Sequence, residues 1–254
     1  MNKEDRMLEI SRTKNVNRIN AFDTPSLRNV HYLHYINYFK DLKSIFDNHI
    51  KKNDRIFDIG CGNKPFEDYI RKLTKKNDND FYVGCDIIQS SENKADIVCE
   101  ATKIPETTER YNVIICTQVI EHVFDYQKVF EEAYRLLKSG GKFIVSGPFV
   151  FEMHEKPYDF YRFTKYGFEE LLTRTGFEIE ENVSNGGKWA VLGHLFIHCL
   201  VSNKRLKFLL FKIIRGIWNY LVVLLCNLVF HFLDNRNKDS DNFALNYIYV
   251  GKKT

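Results

Sequence analysis

Residues 55–65, Arg55-Ile56-Phe57-Asp58-Ile59-Gly60-Cys61-Gly62-Asn63-Lys64-Pro65, carry the reading of the fold. An apolar, β-prone run holds one acid, breaks into two glycines and reaches a proline suited to a first helical turn, where a missing N–H is no loss. The pattern predicts strand, tight turn, helix. Glycine at 60 and 62 lets the backbone take positive φ and approach a ligand closely, and the helix start offers unpaired N–H groups. Phosphate-binding turns of this type usually add a cation. Here Asp58 stands near the mouth and favours a ligand with donors or positive charge. A Gly-x-Gly turn by itself is a weak signal, because ordinary turns in α/β domains share it.

Outward from this stretch, Phe81-Tyr82-Val83-Gly84-Cys85-Asp86 reads as a second strand ending in an acid, where dinucleotide-binding halves place a ribose-binding carboxylate. Strands are predicted near 55–59, 80–86, 95–99, 112–117, 142–148, 177–183 and 243–251, with helices over 26–49, 125–137 and 164–175. That alternation calls for a parallel sheet with helices on both faces. Val129, Phe130, Ala133, Leu136 and Leu137 share one helix face, and Ser139-Gly140-Gly141 should end that helix in a left-handed cap. His31, His34 and Tyr38 share a face of the first helix, where packing is the expected role ahead of lining a substrate mouth.

Composition narrows the function. A net charge of +4, from 37 basic and 33 acidic residues spread along 254, gives no electrostatic footprint for nucleic acid. The six cysteines form no C-x-x-C pair and read as reduced, mostly buried thiols, so no metal-ligand set is identified. The polar, aperiodic stretch 1–24 should be a loose arm. Its charged start lacks an apolar core, so no signal peptide is expected and a cytoplasmic location is.

Phe57-Asp58-Ile59-Gly60-Cys61-Gly62, Val83-Gly84-Cys85-Asp86 and Cys116-Thr117-Gln118-Val119-Ile120-Glu121-His122-Val123 together resemble class I S-adenosylmethionine-dependent methyltransferases, of the type 11-like group, over roughly residues 50–183. The resemblance implies an α/β, Rossmann-like sheet, mostly parallel with an antiparallel last strand, and S-adenosyl-L-methionine as cofactor. It implies that Asp58, Gly60, Cys61 and Gly62 hold the amino-acid end. Asp86 and Ile87 would hold the ribose, Glu100 and Ala101 the adenine edge, and Thr117 and Gln118 would flank the cofactor. The family's third glycine is Lys64 here, expected to be a solvated side chain. Glu121-His122 recurs in the family as a structural pair near the helix start, which leaves two roles for it, holding its loop by hydrogen bonds or taking part in catalysis.

After the fifth strand, residues 149–164 crowd aromatics and charges into a loop on the ligand side of the sheet. His154 is the first candidate for a base and Asp159 the second, with Tyr158, Tyr161 and Arg162 as substrate binders. This loop resembles methyltransferases of bacterial surface-polysaccharide pathways, which makes a sugar or lipid-linked glycan hydroxyl the expected acceptor. Quinone or other lipid methylation is an alternative, as is an inactive methyltransferase-fold partner subunit. The expected organisation is an arm and helix at 1–50, a catalytic domain at 51–183 with 243–254, and an apolar helical insertion at 184–242. The run Leu206 to Leu233, preceded by Lys204, Arg205 and Lys207, with Lys212 and Arg215 near its start, is expected to dock at the inner face of a membrane without crossing it. A homodimer interface or an added helical layer is the alternative for that segment.

Overall fold

The computed structural model describes residue 22 and residues 24–76, 81–90, 92–201, 209–237 and 239–254. The expected arm at 1–24 falls almost wholly outside these, as do Lys204, Arg205 and Lys207. The elements in chain order are α1 (Tyr32–His49), β1 (Ile56–Ile59), α2 (Glu67–Thr74), β2 (Tyr82–Asp86), β3 (Ile97–Val98), β4 (Tyr111–Thr117), α3 (Tyr126–Leu136), β5 (Leu137–Pro148), α4 (Lys165–Thr175), β6 (Phe177–Asn185), α5 (Lys188–Leu200), α6 (Leu209–Arg236) and β7 (Asn246–Lys253).

The strands form one sheet in the order β3-β2-β1-β4-β5-β7-β6. β1 lies between two parallel partners, Ile56 to Ile59 pairing with Tyr82 to Cys85 on one side and Val113 to Cys116 on the other. A strand covered on both edges and both faces is expected to be largely apolar, and Ile56, Phe57 and Ile59 are fully buried, with Asp58 its one charged residue. The last strand runs antiparallel, helices flank both faces, and α5 and α6 form an insertion between the last two strands.

One local reading is corrected. Ser139-Gly140-Gly141 does not cap α3: that helix ends at Leu136, and Leu137 already pairs with Tyr111. The register shifts before Val113 meets Lys142, and Gly140 at φ +75° takes up the irregularity, so the glycines serve a bulged strand and not a helix stop. By contrast, α4 begins at Thr164, whose hydroxyl accepts the Gly167 N–H at 3.1 Å, and ends at Gly176 with φ +99°.

The chain divides into two compact units, residues 42–183 with 247–254, and residues 22–41 with 184–246. The second holds the insertion together with the start of α1. Within it the buried Asp234 carboxylate accepts the N–H groups of Gly187 and Ala190, capping the positive end of α5. Asn227 donates to the carbonyls of Leu27 and Asn29. Gly193 packs so closely on Phe230 and Leu33 that an added Cβ would lie 2.5 Å from the Phe230 ring.

Candidate cofactor and acceptor site

A cavity of about 370 Å³ opens at the carboxyl ends of β1, β2 and β4, within the range of small-molecule clefts. Its floor is the turn after β1. Gly60 at φ +72° comes so near the segment after β4 that an added Cβ would stand 2.3 Å from Val119 Cγ2. The Gly60 and Cys61 N–H groups donate to Cys85 O at 2.8 and 3.0 Å, locking the turn to the end of β2. Asp86 follows. Its Oδ2 accepts the Gly62 N–H at 3.0 Å and its Oδ1 accepts the Ile87 N–H at 2.8 Å, which orients the carboxylate.

Seven of the expected cofactor residues line this cavity: Gly60, Gly62, Asp86, Ile87, Glu100, Ala101 and Gln118. Asp58, Cys61 and Thr117 do not. Asp58 is only 2 % exposed and accepts the Tyr82 hydroxyl, so it braces β1 against β2 beneath the floor. Burial, with Asp58 and Asp86 nearby, pushes the Cys61 thiol well up and leaves it an inert packing group. Lys64 is also corrected: it is 8 % exposed, and its ammonium donates to Tyr82 O and pairs with Asp96. With φ at +50°, Lys64 keeps the left-handed backbone that a glycine would supply while its side chain lies along Gly84.

Lining residues that sequence reasoning missed include Gln89, Ser90, Cys99, Thr102, Phe124 and Asp125. The loop after β2 turns back through Gln89, whose amide donates to Ala95 O and accepts the N–H groups of Ser90 and Ala95. No local pattern marks such a turn. Among the described lining residues there are three acids, Asp86, Glu100 and Asp125, and no lysine or arginine. A nucleoside polyphosphate would meet like charge here, whereas a cationic sulfonium carrying a ribose diol finds carboxylates where it needs them. The residues present therefore fit S-adenosylmethionine.

Residues 149–164 fold over the short 3-10 turn Ile120–His122. Phe160 and Tyr161 donate their N–H groups to Glu121 O at 2.9 and 3.3 Å, and the Tyr161 hydroxyl donates to Phe124 O at 3.1 Å. His122 Nδ1 sits 2.7 Å from Tyr158 O, and the His154 ring meets the His122 ring edge to face at 4.8 Å. The loop thereby delivers His154 to a residue that lines the cavity. Asp159 accepts the His154 N–H at 2.9 Å, and its Oδ2 is 3.4 Å from His154 Nδ1.

Arg162 does not reach outward to a substrate. Its Nη1 donates to Asp159 Oδ1 and Tyr161 O, its Nη2 to Asp159 Oδ2 and Glu152 O, and its Nε to Phe151 O. All five donors of the guanidinium are spent inside the loop. The expected hydrogen-bonding pair Glu121-His122 is also only half right. His122 holds the loop through its ring, but Glu121 does so through its backbone carbonyl, and both its carboxyl oxygens lack a partner among the described residues.

The family described as "Methyltransferase domain" matches residues 30–182. The chain belongs to that family. It is an S-adenosylmethionine-dependent methyltransferase. No curated protein matches the sequence. Among solved structures, the chain is similar to a SAM-dependent methyltransferase from Archaeoglobus fulgidus, with TM-score 0.52 and 12% identity over 84% of this chain and 94% of that one. It is similar to geranyl diphosphate C-methyltransferase from Streptomyces coelicolor, with TM-score 0.54 and 10% identity over 94% and 89%. It also resembles the [4+2]-cyclase SpnF, with TM-score 0.53 and 14% identity over 86% and 82%. At these identities the likeness is one of fold, and the reaction must be argued from the site.

In this methyltransferase, burial pushes the Glu121 carboxyl up to about 8. Burial also lowers His122, against the opposing pull of Glu155 and the Tyr158 carbonyl, with His154 adding to the effect. Burial opposes the charge of Asp159 as well, but the Arg162 hydrogen bonds, the His154 N–H and the nearby His154 ring outweigh it and hold that carboxyl below its ordinary value. An ionised Asp159 behind a histidine fixes the ring so that Nε2 carries the lone pair, the orientation a proton acceptor needs.

Proposed function

We propose that the methyltransferase binds S-adenosyl-L-methionine in the 370 Å³ cavity and O-methylates a hydroxyl of a sugar or lipid-linked glycan, with His154 as the base. The observation that carries this reading is the Asp159–His154 pair, which the loop at 149–164 sets against the cavity-lining His122. The cofactor, once bound, supplies a methyl group on a positively charged sulfur. The Gly60 and Gly62 backbone, beside Asn63, would hold its amino-acid end, Asp86 its ribose hydroxyls, and Glu100 with Ala101 its adenine edge. His154 Nε2 would take the proton from the acceptor hydroxyl as that oxygen becomes the nucleophile. Tyr158 and Tyr161, on the loop that folds over Ile120–His122, would be the side chains nearest an incoming sugar, with the Tyr161 ring already packed on Phe124, Tyr126 and Phe163.

The acceptor class also rests on the insertion. Ile213–Arg236 is long and apolar enough to cross a membrane, and only 17% of its most apolar window is buried. Ile213, Ile217, Trp218, Leu225, Val229 and Phe232 are all more than half exposed. Yet Leu245 donates its N–H to Asn185 O at 2.8 Å, so the insertion leaves and re-enters the sheet at one place, and crossings would have to come in pairs. α5, at 13 residues, is about 20 Å long and too short to be the second span. An in-plane helix on the inner leaflet, which brings the enzyme to a lipid-linked acceptor, satisfies both facts.

The test is transfer of labelled methyl from S-adenosylmethionine to extracted glycolipid and to free sugars. His154→Ala is expected to lower turnover about a hundredfold or more with cofactor affinity unchanged. Equal turnover at saturating acceptor removes His154 from the mechanism.

A further inference from the structure

Glu121, His122 and His154 each present a donor atom within 4.8 Å of the others, and the chemistry above uses only one of the three. Glu121 has no exposed surface, and among the described residues neither carboxyl oxygen meets a hydrogen-bond partner. Native proteins seldom leave such a group unsatisfied, which points to something that binds it. The two histidines complete the case. His122 Nδ1 faces Tyr158 O, which can only accept, so Nδ1 carries the proton and Nε2 keeps its lone pair. His154 Nδ1 lies 3.2 Å from Glu152 O and 3.4 Å from Asp159 Oδ2, with the same consequence. Two imidazoles steadied from behind by a carbonyl or carboxylate, each with Nε2 bare, have the outer arrangement of metal-ligating histidines.

We propose that Glu121, His122 and His154 form a binding site for one divalent transition-metal cation, with Zn²⁺ or Mn²⁺ as the fitting members. Two imidazole nitrogens and one carboxylate oxygen suit such ions, whereas Mg²⁺ and Ca²⁺ favour oxygen-only sets. Metal–ligand bonds of about 2.0–2.2 Å put neighbouring donors about 3–3.5 Å apart. His122 Nε2 stands 3.8 Å from Glu121 Oε1 and all three donors lie within 4.8 Å of one another, so closing on an ion takes side-chain shifts of up to about 1–2 Å. Glu155 Oε2, 3.9 Å from the same nitrogen, is near enough to become a fourth ligand. Spacing in the sequence shows nothing of this, because the third ligand arrives on a different loop.

Three protein ligands leave coordination positions open, and His122 borders the cavity where an acceptor must enter. An acceptor hydroxyl on the cation would release its proton to water more readily; in the metal-loaded enzyme His154 is a ligand, and the base role given to it above holds only where no cation is bound. The site goes beyond the acceptor reading and does not depend on the acceptor being a sugar.

The experiment is a titration of chelator-stripped full-length protein with Co²⁺ followed by visible absorption, and with Zn²⁺ followed by calorimetry and by thermal unfolding. The half-exposed His154 can be changed without disturbing the core, so His154→Ala is compared with wild type. His198→Ala, in the separate histidine group of His31, His194 and His198, is the control. Expected are one equivalent bound by wild type and by His198→Ala, a rise in Tm with Zn²⁺, and at least a tenfold weaker affinity with loss of the cobalt band in His154→Ala. No stoichiometric binding by wild type, or binding that His154→Ala leaves intact, overturns the site. S-adenosylhomocysteine binding is measured on the same samples. A protein that binds this product but no cation refutes the metal site alone and leaves the methyltransferase reading standing.

Discussion

At the scale of single residues, the turn after β1 has the least latitude. Gly60 has positive φ and its missing Cβ leaves room for Val119, so Gly60→Ala meets both backbone strain and a collision. The variant is expected to be less stable by about 1–3 kcal/mol in urea denaturation, with weakened cofactor binding even where the fold persists. Wild-type stability and affinity would show that Val119 yields. Gly60 and Asp86 were legible in the sequence because turn chemistry and strand ends are local properties. Lys64, Arg162 and Asp58 were not. Each is a charged residue that expectation sent to solvent or ligand, and each is claimed by a partner distant in sequence or by loop carbonyls, which only the folded chain brings near.

At the scale of elements, the cavity wall that carries Glu100, Ala101 and Thr102 depends on its attachment to α3. Glu132 accepts the Ile104 N–H at 2.8 Å and two bonds from Arg135, and Arg135 in turn donates to the carbonyls of Ile104 and Glu106. Burial works against the Glu132 charge, but the Arg135 and Ile104 bonds outweigh it and depress the carboxyl below its ordinary 4.5. A depressed carboxyl contributes stability that is present in full above the unfolded value and is lost as pH falls through the folded one. Glu132→Gln is therefore expected to be about 1–3 kcal/mol less stable than wild type at pH 7, with the difference closing below about pH 4. A constant difference across that range would mean that packing and not charge is at work. Strands and helices were readable from apolar periodicity to within a few residues, except where β5 begins early at Leu137 and where α1 begins at Tyr32 and not at the expected Ser26. A helical stop and a bulged strand both ask for glycine, and the residue type cannot tell them apart.

At the scale of the whole molecule, the proposed membrane contact rests on the insertion. Its long apolar segment was plain from composition, while its attachment through Asp234, Asn227 and Gly193 depended on contacts across many residues. Purified protein is expected to float with anionic liposomes, and a version lacking residues 204–234 to remain in the unbound fraction. Equal recovery of both in the unbound fraction would assign the exposed face of α6 to protein and leave the acceptor soluble.

The central claim is that a cofactor sits above β1 and β2 with its ribose on Asp86. Calorimetric titration of wild type and Asp86→Ala with S-adenosylmethionine tests it most directly. Loss of a charge-assisted bond should weaken binding by about 1.5–3 kcal/mol, or roughly ten- to a hundredfold, with circular dichroism unchanged. Equal affinity in the two proteins, or no binding by wild type, would contradict the placement of the cofactor.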